Sequence, residues 1–84
     1  MECLLKAINN ERMTQRSQKT RDKVGKKIQR FRKSVGLSQE EFAHQVGISR
    51  THAGHIEQGR KFPSLEVLEK IAKVLKVKVR DLFP

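Results

Sequence analysis

The residues best suited to chemistry lie between Gln39 and Gln58. If Arg50 to Gln58 is a helix at 100° per residue, Ala53 and Ile56 mark its buried side. Thr51, His55 and Gln58 then fall opposite, with Gly54 near them and Arg50 on the flank. These groups suit the edges of nucleic-acid bases. Arg50 can bond guanine O6 and N7 together, Thr51 can bond either base type or lay its methyl on thymine, and His55 can donate or accept. Each well-made contact of this kind discriminates by roughly 1–3 kcal/mol. Gln39, in the first turn of the preceding helix, suits a phosphate oxygen. Arg60 and Lys61 follow the reading helix and suit the far wall of a groove. His52 lies between the core and ligand sides, and Ser49, the expected cap, completes the candidate set. Gly54 costs about 1 kcal/mol inside a helix relative to Ala. It either gives room for a sugar-phosphate backbone or is a tolerated exposed residue.

Other chemistries find less support. His52 and His55 are three apart on one helix and could chelate, but no Cys or acid pair completes a zinc set, and Cys3 is distant. No metal site and no cofactor are expected. No Ser/His/Asp or Cys/His arrangement and no Gly-rich phosphate loop is evident, so no enzyme is expected. One cysteine cannot form an internal disulfide. No apolar run approaches the roughly 18–20 residues of a membrane span. The start, Met1 to Lys6, lacks the basic and long apolar stretches of a signal peptide. The expectation is a cytoplasmic protein with no membrane partner.

Short helices must position these groups. Val24, Ile28, Phe31 and Val35 recur at helical spacing, with Asp22 as expected N-cap and Gly36 as stop. Lys26, Lys27, Arg30, Arg32 and Lys33 take the rest of that helix. Ser38 and Glu41 form a capping box, so a second helix begins at Gln39 and buries Phe42, Ala43 and Val46. Gly47 ends it. Ser49 caps the third helix, Arg50 to Gln58, and Gly59 ends that. Ser64, after Pro63, caps a fourth, with Leu65, Leu68, Ile71, Ala72 and Leu75 on one face. Val79, Leu82 and Phe83 suggest a short fifth helix before Pro84. The fold class is all-α.

The charge divides the chain. Its 84 residues carry 19 Lys+Arg against 9 Asp+Glu, a net +10 that points to an anionic partner. Residues 11–33 hold most of the excess, with only Glu11 and Asp22 as acids. From Asn9 to Lys23 the only large apolar residue is Met13, too little to offset the entropy of ordering. Residues 1–22 are therefore expected to be a flexible basic arm and residues 23–84 a single domain.

Two short helices joined by a Gly-containing turn, with small Ala43 where they approach, form a helix-turn-helix pattern. Here the chain resembles the lambda-repressor-like, XRE-type helix-turn-helix family. The resemblance covers Val24 to Phe83. It is carried by the string from Gly36 to Ala43, Gly-Leu-Ser-Gln-Glu-Glu-Phe-Ala, and by that from Ile56 to Leu65, Ile-Glu-Gln-Gly-Arg-Lys-Phe-Pro-Ser-Leu. It implies a five-helix DNA-binding domain with the third helix in the major groove and Gln39 clamping the backbone. Ala53 departs from the family pattern, which has a larger aliphatic residue there.

The expected partner is double-stranded DNA. One such module buries only about 600–1,000 Å² on DNA, so useful affinity calls for two copies. The expectation is a homodimer reading half-sites about 34 Å apart, with Val77, Val79 and Phe83 as candidate contacts and Leu82 completing the domain's own core. The corresponding function is a transcriptional regulator of repressor or restriction–modification controller type. An antitoxin-type regulator, whose residues 1–23 bind a partner protein, is the alternative. Charge-driven binding without sequence preference is a third, weaker reading, because most of the excess charge lies outside the reader.

Overall fold

A computed structural model describes the backbone from Glu2 onward and the side chains from Gln18 to Pro84. Four α-helices follow one another: α1 (Glu2–Ser34), α2 (Gln39–Val46), α3 (Arg50–Glu57) and α4 (Leu65–Leu75). A single 3-10 turn, Val79–Leu82, comes last. No strand occurs among the described residues.

Two expectations are corrected. Asp22 caps nothing, because α1 runs through it without a break. Residues 18–23 are mostly good helix formers, and tertiary contacts hold them in place. Gln18 donates to the Gly59 carbonyl and to Asp22 Oδ1, both at 3.1 Å. Gln18 and Asp22, which fall in the expected arm, therefore pack on the turn that follows α3. The expected fifth helix is also only one 3-10 turn. Four residues cannot sustain an α-helix against the proline that follows Phe83. The side chains of the arm before Gln18 lie outside the described residues.

The N-caps of α2, α3 and α4 agree with the sequence. Ser38 Oγ accepts the Glu41 amide at 3.0 Å, and Glu41 Oε1 accepts the Ser38 amide at 3.1 Å. Ser49 and Ser64 accept the amides of His52 and Val67 in the same way. Gly47 takes the left-handed conformation, φ +85°, that ends α2 and starts the turn. The amides of Gly47 and Ile48 fold back onto the Ala43 carbonyl, so α3 leaves at a fixed angle.

The core holds most of the apolar residues read from the sequence: Val24 and Ile28 of α1, Phe42, Ala43 and Val46 of α2, and Ala53 and Ile56 of α3. Leu68, Ile71, Ala72, Leu75 and Leu82 complete it. Val35 and Leu65, expected on the same faces, are exposed, because α1 has already ended at Ser34 and Leu65 is the first residue of α4. Ala53 is fully buried, so its small side chain leaves no opening to solvent. At the end of the chain, Lys27 Nζ donates to the Phe83 carbonyl at 2.8 Å. That bond ties the last residues back to α1.

The approach of α1 to α3 depends on Gly25. A Cβ there would stand 2.6 Å from the Ile56 carbonyl oxygen and 2.5 Å from that of Glu57. Both are backbone atoms, so only a shift of a whole helix could make room. Gly25→Ala is therefore expected to lower stability by about 1–3 kcal/mol, read as a lower urea midpoint with the slope unchanged.

The Ser38 hydroxyl, and then its amide, lower the Glu41 carboxyl below its ordinary range. A depressed folded value stabilises at pH above the unfolded value, and that contribution is lost as pH falls through the folded one. Thermal melts should show Glu41→Gln less stable than wild type at neutral pH. The gap should close on the acid side.

Candidate nucleic-acid interface

Alternation along α3 separates anchoring groups from free ones. Ala53, Ile56 and Glu57 point inward. Arg50, Thr51 and Gln58 are exposed, and His52, Gly54 and His55 are half-buried. Ser49 is exposed, but its hydroxyl is occupied with capping. Arg60 and Lys61 are exposed on the turn beyond the helix, where their amides bond the His55 carbonyl. The charged groups at both ends of α3 are thus free to meet a ligand.

Gln39 is half-buried at the first residue of α2 and meets α3 from the side. Its amide group lies beside Gly54, 3.7 Å from where a Cβ would stand. That distance is ordinary contact, so the fold does not demand glycine at this position. Gln39 Nε2 also donates to Glu57 Oε1 at 3.4 Å. Gln39 and Gln58 share a cleft of about 290 Å³. Asp22, Lys26 and Gln29 of α1 line it too, with Glu57 of α3, a neighbourhood the sequence reading did not foresee.

The sequence reading also missed what holds α3 in place. Arg32 Nε donates to Glu57 Oε2 at 2.8 Å and Nη2 to Oε1 at 3.1 Å, a two-pronged pair. Its Nη1 donates to the Leu37 carbonyl at 2.9 Å. The side chains are 9% and 2% exposed. One guanidinium thus joins α1, the loop before α2 and the last turn of α3. Every buried side-chain polar atom among the described residues has a partner. The signal was present in the spacing. Arg32 is four residues after Ile28, and Glu57 is four after Ala53, so both fall on buried stripes. Charge put Arg32 with the residues away from the core of its helix, and Glu57 was read only as part of the string from Ile56 to Leu65.

The other candidates divide. Val77, Val79 and Phe83 are half-buried and pack against this chain's own core, while Leu82 is fully buried. The Phe83 ring tilts against Phe62 with centroids 6.0 Å apart. His52 and His55 gain no third ligand, since no group of three or more His, Cys, Asp or Glu is placed to hold a metal among the described residues. No described helix is long and apolar enough to cross a membrane. The protein-partner reading rests on residues 1–23, whose side chains as far as Ser17 lie outside the described residues.

A helix-turn-helix with an exposed third helix and basic groups at both its ends defines a class, and comparison with known proteins agrees. Residues 28–82 match the model of the helix-turn-helix family HTH_3. The chain belongs to this family, the XRE or lambda-repressor-like group. It is similar to the restriction-modification controller protein C.AhdI from Aeromonas hydrophila, at 35% identity and a TM-score of 0.71. That match covers 74% of this chain and 94% of that one. SinR of Bacillus subtilis, a master regulator for biofilm formation solved in complex with DNA, is 35% identical with a TM-score of 0.67. It covers 70% of this chain and 95% of that one. The clp gene regulator ClgR from Corynebacterium glutamicum is 29% identical with a TM-score of 0.71, covering 74% and 66%. No curated protein sequence matches the chain. The family and these neighbours are DNA-binding transcription regulators.

Removing one partner of the buried pair leaves an uncompensated charge. Glu57→Ala is expected to cost about 3–5 kcal/mol, measured by urea unfolding. Arg32→Lys should also lose stability, because an ammonium cannot reproduce the two-pronged geometry.

Proposed function

We propose that this chain is a sequence-specific regulator of transcription that reads double-stranded DNA through α3. The observation that carries the reading is the division of α3. Its anchoring residues are buried, while Arg50, Thr51 and, at the cap just past its observed end at Glu57, Gln58 are exposed and His55 is half-buried between them. Arg50 takes guanine, Thr51 and His55 take neighbouring base edges, and Gln58 closes the row. Gln39, Arg60 and Lys61 bond phosphates on the two sides of the groove and fix the register. His52 adds a contact at the margin. Gly54 leaves the middle of α3 low, which brings the helix axis closer to the bases.

The protein acts as a homodimer on a two-fold symmetric operator. One module covers too little DNA for tight binding. The partly covered side chains of Val77, Val79 and Phe83 supply the contact between copies. The role is that of a repressor or a restriction–modification controller, and the likeness to C.AhdI supports the latter.

Selection from random duplex DNA at physiological salt tests this reading. Enrichment of a symmetric motif with half-sites about one helical turn apart is expected. Bound DNA without enrichment would sink sequence-specific reading, and a motif without symmetry would sink the dimer. On the selected site, Arg50→Ala should lose about 1–3 kcal/mol of preference at one base pair per half-site.

A further inference from the structure

The solvent face of α1 carries cations that the fold does not use. Lys26, Arg30 and Lys33 are exposed, and Gln29 lies among them. Their spacings of four and three place them on one stripe of the helix. None is in an ion pair among the described residues, where the only pairs are Arg32–Glu57 and Lys70–Glu66. Like charges at these spacings repel and weaken a helix by a few tenths of a kcal/mol per pair, so helix stability gives no reason for them.

Two shallow clefts connect this stripe to the reading surface. Lys26, Gln29, Arg30 and Lys33 line one of about 370 Å³. Lys26 and Gln29 also line the other, together with Asp22, Gln39, Glu57 and Gln58; Glu57 there is paired with Arg32 and Asp22 accepts from Gln18. Lys26 and Gln29 thus border both clefts and join the neighbourhood of Gln39 and Gln58 to the exposed stripe of α1. Its dimensions suit a nucleic-acid strand. Seven residues of helix rise about 10 Å, and each strand of duplex DNA presents one phosphate per 3.4 Å of the duplex axis, or about three over that axial length.

We infer that the Lys26–Gln29–Arg30–Lys33 face of α1 is a second phosphate-binding strip, which grips the backbone of the DNA that α3 reads. The inference rests on the proposed function and extends it. The strip adds affinity without base preference, and it lengthens the contacted DNA beyond the segment under α3.

The test is a salt titration of binding to the selected duplex. The combined variant Lys26→Gln, Arg30→Gln, Lys33→Gln is compared with wild type and with a control, Lys73→Gln, Lys76→Gln, Lys78→Gln. The control removes equal charge from α4 and the loop after it. The strip variant should bind at least about tenfold more weakly at physiological salt, and its log K against log salt slope should fall by about 2–3. Its ranking of mutated sites should match wild type, and the control should keep the wild-type slope. Each single substitution should lower the slope by about one, which keeps the test decisive if the combined variant folds poorly. An unchanged slope, or an equal fall in the control, overturns the strip. So does a loss confined to binding of phosphatidylglycerol vesicles, which would assign the face to a lipid surface. Absence of site preference in wild type would instead sink the proposed reading of DNA, and the slopes on random duplex would still decide the strip.

Discussion

The buried pair between Arg32 and Glu57 is the constraint on which the arrangement depends. Glu57 is the last residue of α3, and Arg32 comes two residues before the end of α1. A carboxylate at 2% exposure is tolerable only with a cation beside it. The two helices must therefore meet in one register. The third donor of Arg32 reaches the Leu37 carbonyl, which adds the entry to α2 to the same node. Gln39 touches it from the other side. The position of Gln39 and the end of α3 are thus set by one ion pair.

Gly25 makes that register close as well as fixed. The carbonyls of Ile56 and Glu57 occupy the space where a Cβ of residue 25 would stand, a separation that no other residue would permit. Charge complementarity chooses which groups meet, and the missing side chain chooses how near the helices come. The wholly apolar contacts of α2, α3 and α4 fill the space that remains.

Much of this could be read in the sequence, and the exceptions have physical causes. The starts of α2, α3 and α4 followed from local chemistry, in which a serine side chain meets an amide three residues on. Such signals need no knowledge of the rest of the chain. Asp22 misled because a good capping residue is also tolerated within a helix when distant groups, here the Gly59 turn, hold that helix in place. Arg32 misled because charge usually means exposure, and only its partnership with Glu57 makes burial possible. The role of Gly25 could not be seen at all, since it concerns backbone atoms more than thirty residues away. Among the site residues, the exposure of Arg50, Thr51 and Gln58 was readable from the helical period. The joining of α1 to the cleft of Gln39 and Gln58 was not, because it depends on how the helices cross.

The division of labour along α3 has a consequence for the history of such a protein. Its exposed residues make no hydrogen bond or ion pair between side chains among the described contacts, whereas its buried residues are committed to the core and to Arg32. Mutation at positions 50, 51 and 58 is therefore close to neutral for folding. On the proposed reading of DNA through these positions, a lineage built on this scaffold can drift from one target sequence to another in single steps, each intermediate remaining a folded protein. Gene duplication could then yield paralogues with separate addresses long before their cores diverge.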